Sequence, residues 1–228
     1  MDHSPLDNPV WHALAGRHRH LAAACGEARR YPSDFAPFIA VAAPEISIDG
    51  AALQAAVDQA GAYFLGVLPA ALPPGWQFRS RSAVLQMLAP RQPLPQESDA
   101  SCVELGAADR PAMLVLARLA FPDFFRARTS ELGAYFGIFA DGRLVAMAGE
   151  RMAFGGFQEI SGVCTHPDHL GRGHARRLTQ ALLRRHRRLG LESFLHVSEG
   201  NGAARRLYET MGFAVRATLS MGRIEKIT

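Results

Sequence analysis

Asp141-Gly142 stands between two apolar runs, Tyr135 to Phe139 and Leu144 to Arg151. A type I′ turn needs positive φ at both central residues, which Asp-Gly tolerates, so this spacing predicts a β-hairpin. Gly155-Gly156 supplies a second turn into a further run, Glu159 to Cys164, and three antiparallel strands are therefore expected in series. The next regular segment, Gly173 to Leu189, carries Ala175, Leu178, Leu182 and Leu189 at helical spacing, a stripe suited to covering a sheet. Gly190 ends it. Phe194 to Val197 then reads as a strand, Gly202 to Met211 as a helix stopped by Gly212, and Phe213 to Lys226 as two closing strands or one bent one. Strands and helices interleaved in this order imply a mixed α/β fold.

Upstream the signals are shorter. Asn8-Pro9 is a helix start, and Trp11, Leu14, Ala15, His18, Leu21, Ala22 and Cys25 continue a helical spacing that Gly26 would end. Phe38 to Ala42 and Tyr63 to Val67 read as strands, with a helix from Asp49 through Ala60 between them. Pro73-Pro74-Gly75 turns into an extended stretch, Trp76 to Leu88. Residues 89–100 concentrate prolines and polar residues without periodicity, as a linker or crossing connection would, which predicts a smaller N-terminal α/β unit over 1–95 and a second unit over 101–228. In the second unit Cys102 to Leu105 reads as a strand and Asp109-Arg110-Pro111 opens a helix to Ala120, broken by Phe121-Pro122.

With 228 residues, 48% hydrophobic and 20% charged, the chain can bury a substantial core and has no run long enough to span a bilayer. The N-terminus lacks a basic and apolar leader pattern, and three widely spaced cysteines give no disulfide framework, so the expected compartment is the cytoplasm, with no membrane partner. A net charge of +4 is too small to imply nucleic acid. Arg172, Arg176, Arg177, Arg184, Arg185, Arg187 and Arg188 are nevertheless crowded together, as a solvated helix face or, beside the glycines, as an attraction for a phosphorylated ligand. His166, His169, His174, His18 and His20 match no metal-ligand spacing, and no metal is expected.

Leu170-Gly171-Arg172-Gly173-His174-Ala175 joins a strand to a helix. Unpartnered N–H groups and the helix dipole favour an anion there, and glycines let phosphates approach the main chain. A dinucleotide-binding turn would need glycine at position 176, where Arg176 stands.

From Glu159 through Phe213 the sequence resembles the GCN5-related N-acetyltransferases, and its FR47-like branch in particular. Gly173 and Ala175 match the CoA loop Q/R-x-x-G-x-G/A, with Leu170 at the Gln/Arg position. Asn201, Ala204, Leu207 and Tyr208, followed by Gly212-Phe213, match N-x-x-A-x-x-L-Y-x-x-x-G-F. The resemblance covers residues 101–228 and is silent on residues 1–100. It implies a splayed mixed sheet flanked by helices, with acetyl-CoA as co-substrate. Its pantetheine arm would lie against Val163, Cys164 and Thr165, its pyrophosphate would sit on Leu170, Gly171, Arg172, Gly173, His174 and Ala175, and Asn201 and Ala204 would also bind the cofactor.

Acyl transfer to an amine needs a neutral nucleophile and a proton for the departing thiolate. Tyr208 is the candidate donor. Glu159 is the candidate base, on the expectation that partial burial raises its pKa, and His196 is the alternative. Cys164 on an apolar strand is expected to be a small hydrophobe and not a nucleophile. The implied activity is acetyl transfer from acetyl-CoA to a primary amine of a small molecule or amino acid. A catalytically silent CoA-sensing or partner-binding module, and a protein N-terminal or lysine acetyltransferase, are the alternatives. The N-terminal unit is expected to cap the acceptor side or to build a homodimer interface, and a degenerate copy of the transferase fold is another reading of it.

Overall fold

The computed structural model describes residues 2–57, 61–91, 101–120 and 124–227. Before residue 95 come α1 (Pro9–Ala15), β1 (Ala23–Cys25), β2 (Ala28–Arg30), β3 (Ile39–Ala40), α2 (Gly50–Ala56), β4 (Ala62–Leu65) and β5 (Trp76–Leu88). After it come β6 (Val103–Leu105), α3 (Arg110–Ala120), β7 (Tyr135–Ala140), β8 (Arg143–Phe154), β9 (Phe157–Thr165), α4 (His174–Arg188), β10 (Glu192–Ser198), α5 (Gly202–Thr210) and β11 (Ala214–Lys226). The helix expected to reach Ala60 stops at Ala56, where Val57 is already extended; residues 58–60, the break at Phe121-Pro122 and most of the linker at 89–100 lie outside the described residues.

Local chemistry explains many of the boundaries. Asp141 and Gly142 both have positive φ, 49° and 72°, as the hairpin between β7 and β8 requires. The Asp49 carboxylate accepts from the N–H groups of Ala51 and Ala52 at 2.8 and 2.9 Å and so caps α2. The helix expected from Pro9 to Cys25 instead ends at Ala15, where the N–H groups of Gly16 and His18 both close on the Ala13 carbonyl. Gly26, with φ 65°, is the corner between β1 and β2; a left-handed glycine suits a hairpin as well as it suits a helix stop.

Eight of the described strands form one mixed sheet in the order β4-β11-β5-β10-β9-β8-β7-β6, and β1, β2 and β3 form a small sheet of their own. Among the described strands of the large sheet, β9 and β10 alone pair in parallel. The closing segment is one bent strand, β11, with irregularities between Val215 and Ala217 and between Arg223 and Ile224. The large sheet runs across the expected boundary near residue 95. Residues Val84–Leu88 of β5 pair with β10 on one side and with β11 on the other, and β4 adds the outer edge.

The two faces of this sheet bury different material. One face carries Ile160, Leu195 and Val197 beneath Leu178, Leu182 and Leu183 of α4 and Tyr208 of α5. The other carries Val84, Met152, Phe157, Phe194 and Leu219 beneath α1 and the segment holding Tyr31, Phe35 and Phe38. Helix α3 packs Met113, Leu116 and Ala117 on Tyr135, Met147 and Cys164. No described helix is long and apolar enough to cross a membrane.

Because β5 fills the space between β10 and β11, residues 101–228 expressed alone would leave both strands with open edges. The fragment is expected to show no cooperative thermal unfolding by circular dichroism, while the full chain does. A sharp transition in the fragment would contradict this dependence.

Candidate active site

Strands β9 and β10 pair only as far as Ile160 and Leu195. Beyond these residues β10 continues beside β5, and β9 continues beside β8, so Ser161–Thr165 and His196–Ser198 face one another across an opening. Gly162 marks where β9 departs. Its φ of 64° is open to glycine at little cost, its register against β8 is broken there, and a Cβ would stand 3.1 Å from the ring of buried Tyr135.

A cavity of about 440 Å3 occupies the opening. Val163, Cys164 and Thr165 line it from β9, and Asn201, Ala204 and Tyr208 line it from α5 and its cap. Phe38, Leu65, Val84, Phe124 and Met221 line it as well, and these belong to or pack against the core on the opposite face. The cavity therefore passes through the sheet between its parted strands. Asn201 spends its side-chain oxygen on the Ala204 N–H, 3.1 Å away, which caps α5 and fixes the turn that presents Tyr208.

Leu170 to Ala175 follow β9 after a short 3₁₀ turn and are not part of the cavity wall. Gly171 and Gly173 have φ of 74° and 76°, and a Cβ on either would meet no protein atom within 4 Å, so the space above the turn is open. No side chain caps α4, and the leading N–H groups of a helix have no intrahelical partner. The arginines divide. Arg172 bonds the Asp168 carbonyl, Arg176 the Thr210 hydroxyl and Arg177 the Ser101 hydroxyl, while Arg185 reaches Glu150 and Arg187 the Pro90 carbonyl. Most of the crowded positive charge thus ties α4 to its neighbours.

Tyr208 is buried, and burial alone pushes its phenol up to about 12, so it stays protonated at neutral pH. Burial also pushes the Cys164 thiol up to about 12, against a smaller opposing bond to Met147, which keeps it a thiol and unsuited to nucleophilic attack.

Glu159 departs from expectation. It is fully buried, does not line the cavity, and its carboxylate is saturated. Arg151 Nε and Nη2 donate to it at 2.8 and 2.6 Å, His196 Nδ1 stands at 2.7 Å, and the Met152 N–H at 3.3 Å. Desolvation would raise its pKa, but the guanidinium and these bonds outweigh burial and hold it down at about 2. The raised pKa expected of a working base is therefore corrected: the neighbours on β8 and β10 were not visible in the local pattern. His196 does line the cavity, between Glu159 and Gln86, whose Nε2 is 3.1 Å from His196 Nε2. Arg151, which lines the cavity beside it, and the apolar wall from Phe38 to Met221 carried no motif that would have singled them out. Among the described residues no cluster of histidine, cysteine and carboxylate could hold a metal ion.

The FR47-like protein family model matches residues 135–220. A solved structure from Novosphingobium aromaticivorans DSM 12444, assigned to the GNAT acetyltransferase family, is 36% identical, with 98% of this chain and 99% of that one covered and a TM-score of 0.88. A GCN5-related N-acetyltransferase from Kribbella flavida is 20% identical over 95% of each chain, with a TM-score of 0.60, and shares the fold. No match to a curated protein was found.

The buried cluster makes stability depend on acid. The Glu159 pKa is depressed from 4.5 to about 2, so its contribution is complete above 4.5 and is lost as pH falls towards 2. Glu159→Ala leaves Arg151 buried without its counter-charge and is expected to cost about 3–5 kcal/mol at neutral pH. Denaturant unfolding should show that loss, and a smaller acid-induced decline for the variant below pH 4.5. An unchanged midpoint would contradict the network.

Proposed function

The chain belongs to the GCN5-related N-acetyltransferase family, and from that premise we propose that it transfers an acetyl group from acetyl-CoA to a primary amine of a small molecule or amino acid by direct attack. The cavity that passes between parted β-strands carries this reading, because it can admit two reactants from opposite faces of the sheet. Acetyl-CoA suits one face. Past Ile160 no described strand pairs with β9 on the β10 side, which leaves main-chain groups of Val163 to Thr165 for an extended arm to bond. The uncapped start of α4, with open space over Gly171 and Gly173, suits a pyrophosphate.

The thioester supplies an activated acyl carbon and a leaving thiolate. Main-chain N–H groups near Cys164 stabilise the charge that develops on the carbonyl oxygen. The amine nitrogen forms a bond to that carbon as the C–S bond breaks, and Tyr208 gives its phenolic proton to the sulfur. Glu159 serves the site as a positioning residue, holding Arg151 and His196 where they meet the cavity. The N-terminal segment forms the acceptor wall through Phe38 and Leu65, which supports its capping role.

Incubation with acetyl-CoA and a panel of amines, amino acids and peptides is expected to release CoA thiol with at least one acceptor. Tyr208→Phe should slow turnover by roughly 10- to 100-fold with little change in acetyl-CoA affinity, as loss of a proton donor to a good leaving group would. Binding of acetyl-CoA with no release across the panel would overturn the catalytic reading, and modification of peptides alone would replace the small-molecule acceptor.

A further inference from the structure

The acceptor half of the cavity has polar groups that are already committed to one another. Arg151 spends both donors that face Glu159 on that carboxylate, and its guanidinium carbon lies 4.8 Å over the Phe38 ring. His196 contacts Glu159 through Nδ1 and Gln86 through Nε2. The Gln86 amide is oriented by its other partners: its nitrogen donates to the Leu6 carbonyl at 2.8 Å, and its oxygen accepts from Arg216. The same nitrogen therefore donates to His196 Nε2, whose lone pair is engaged, and Nδ1 is turned to Glu159. Arg216 is in turn paired with Asp7.

Apart from the small neutral hydroxyls of Ser161 and Ser198, what remains of this wall is apolar: Phe38, Leu65, Val84, Phe124 and Met221. The rings of Phe38 and Phe124 lie nearly parallel, 5.9 Å apart. Among the described lining residues there is no unpaired carboxylate for a second ammonium group and no unpaired cation for a carboxylate. A charged group brought here would be desolvated without compensation, whereas a ring or alkyl body would bury its surface against matching side chains.

We infer that the acceptor is a primary monoamine on an apolar, ring-sized body, bound as the neutral free base, with no carboxylate and no second amine. This rests on the acetyl-transfer reading and specifies its acceptor. The apolar wall depresses the pKa of the incoming amine, so the nucleophile sheds its proton to water on entry, and no side chain of the chain has to accept it. After attack the nitrogen's surplus proton leaves to solvent, the thiolate takes the Tyr208 proton, and a proton returning from solvent restores the Tyr208 phenol. Charge and atoms balance as acetyl-CoA plus amine giving amide plus CoA thiol.

Thiol release with acetyl-CoA and four acceptors tests this: 2-phenylethylamine, phenylalanine, pentylamine and 1,5-diaminopentane. The value of kcat/KM for 2-phenylethylamine is expected to exceed that for phenylalanine by at least about tenfold, and pentylamine to exceed the diamine similarly, because an unpaired charge has no partner in the pocket. Phe124→Ala should raise KM for 2-phenylethylamine several-fold and leave KM for acetyl-CoA unchanged. Across acceptors of different basicity, the pH midpoint of kcat/KM should move with the acceptor's own pKa. Preference for phenylalanine or the diamine, an unaltered KM in Phe124→Ala, or one fixed pH midpoint for all acceptors would each overturn the inference while leaving acetyl transfer intact. Thiol release with no amine at all would overturn the transferase reading beneath it.

Discussion

Past Ile160 and Leu195 the main chains of β9 and β10 no longer bond one another, and the site depends on that parting. A parallel pair normally continues until one strand ends, because unpaired N–H and C=O groups are costly when buried. Here each strand has another partner. β10 exchanges its bonds with Val84–Leu88 of β5, and β9 stays with β8 through a break in register at Gly162. The opening is then a stable feature of the sheet, with polar main chain on its edges and side chains from both faces around it.

The same parting explains why charges are buried there. Glu159, Arg151, His196 and Gln86 sit at the fork and bond across β8, β9, β10 and β5. A carboxylate with zero exposure survives as an anion because a guanidinium and further donors surround it, which a hydrophobic core could not provide. The cost of burying this cluster is offset by its geometry: it fixes four strands relative to one another at the point where two of them diverge. Tyr208, on the other face, lacks such neighbours, and burial alone decides its protonation. At neutral pH, opposite surroundings thus leave an anion on one side and a protonated phenol on the other.

What could be read from the sequence was what is local. The Asp141-Gly142 corner, the three strands in series, α4 behind its glycines and α5 behind Asn201 all follow from turn chemistry and periodicity within a few residues. The helix expected through Cys25 stops at Ala15, and Gly26 turns the β1–β2 hairpin instead, because a left-handed glycine suits either kind of corner. The place of β5 was not legible: its partners lie more than a hundred residues away, and strand propensity says nothing about which edge a strand will meet. The acceptor wall drew on Phe38, Leu65, Val84, Phe124 and Met221, which share no spacing. The ionisation of Glu159 was misjudged for a related reason, since a carboxylate's pKa is set by the groups folding brings against it and Arg151 is identified only once β8 and β9 are in register.

The central claim is that acetyl-CoA and its acceptor meet in the gap between β9 and β10. A crystal structure of the protein with CoA tests it most directly. The pantetheine arm is predicted to bond the main chain at Val163 to Thr165, with the pyrophosphate on the N–H groups around Gly173 and the thiol beside Tyr208. CoA bound elsewhere on the sheet, with the gap left unfilled, would contradict the account.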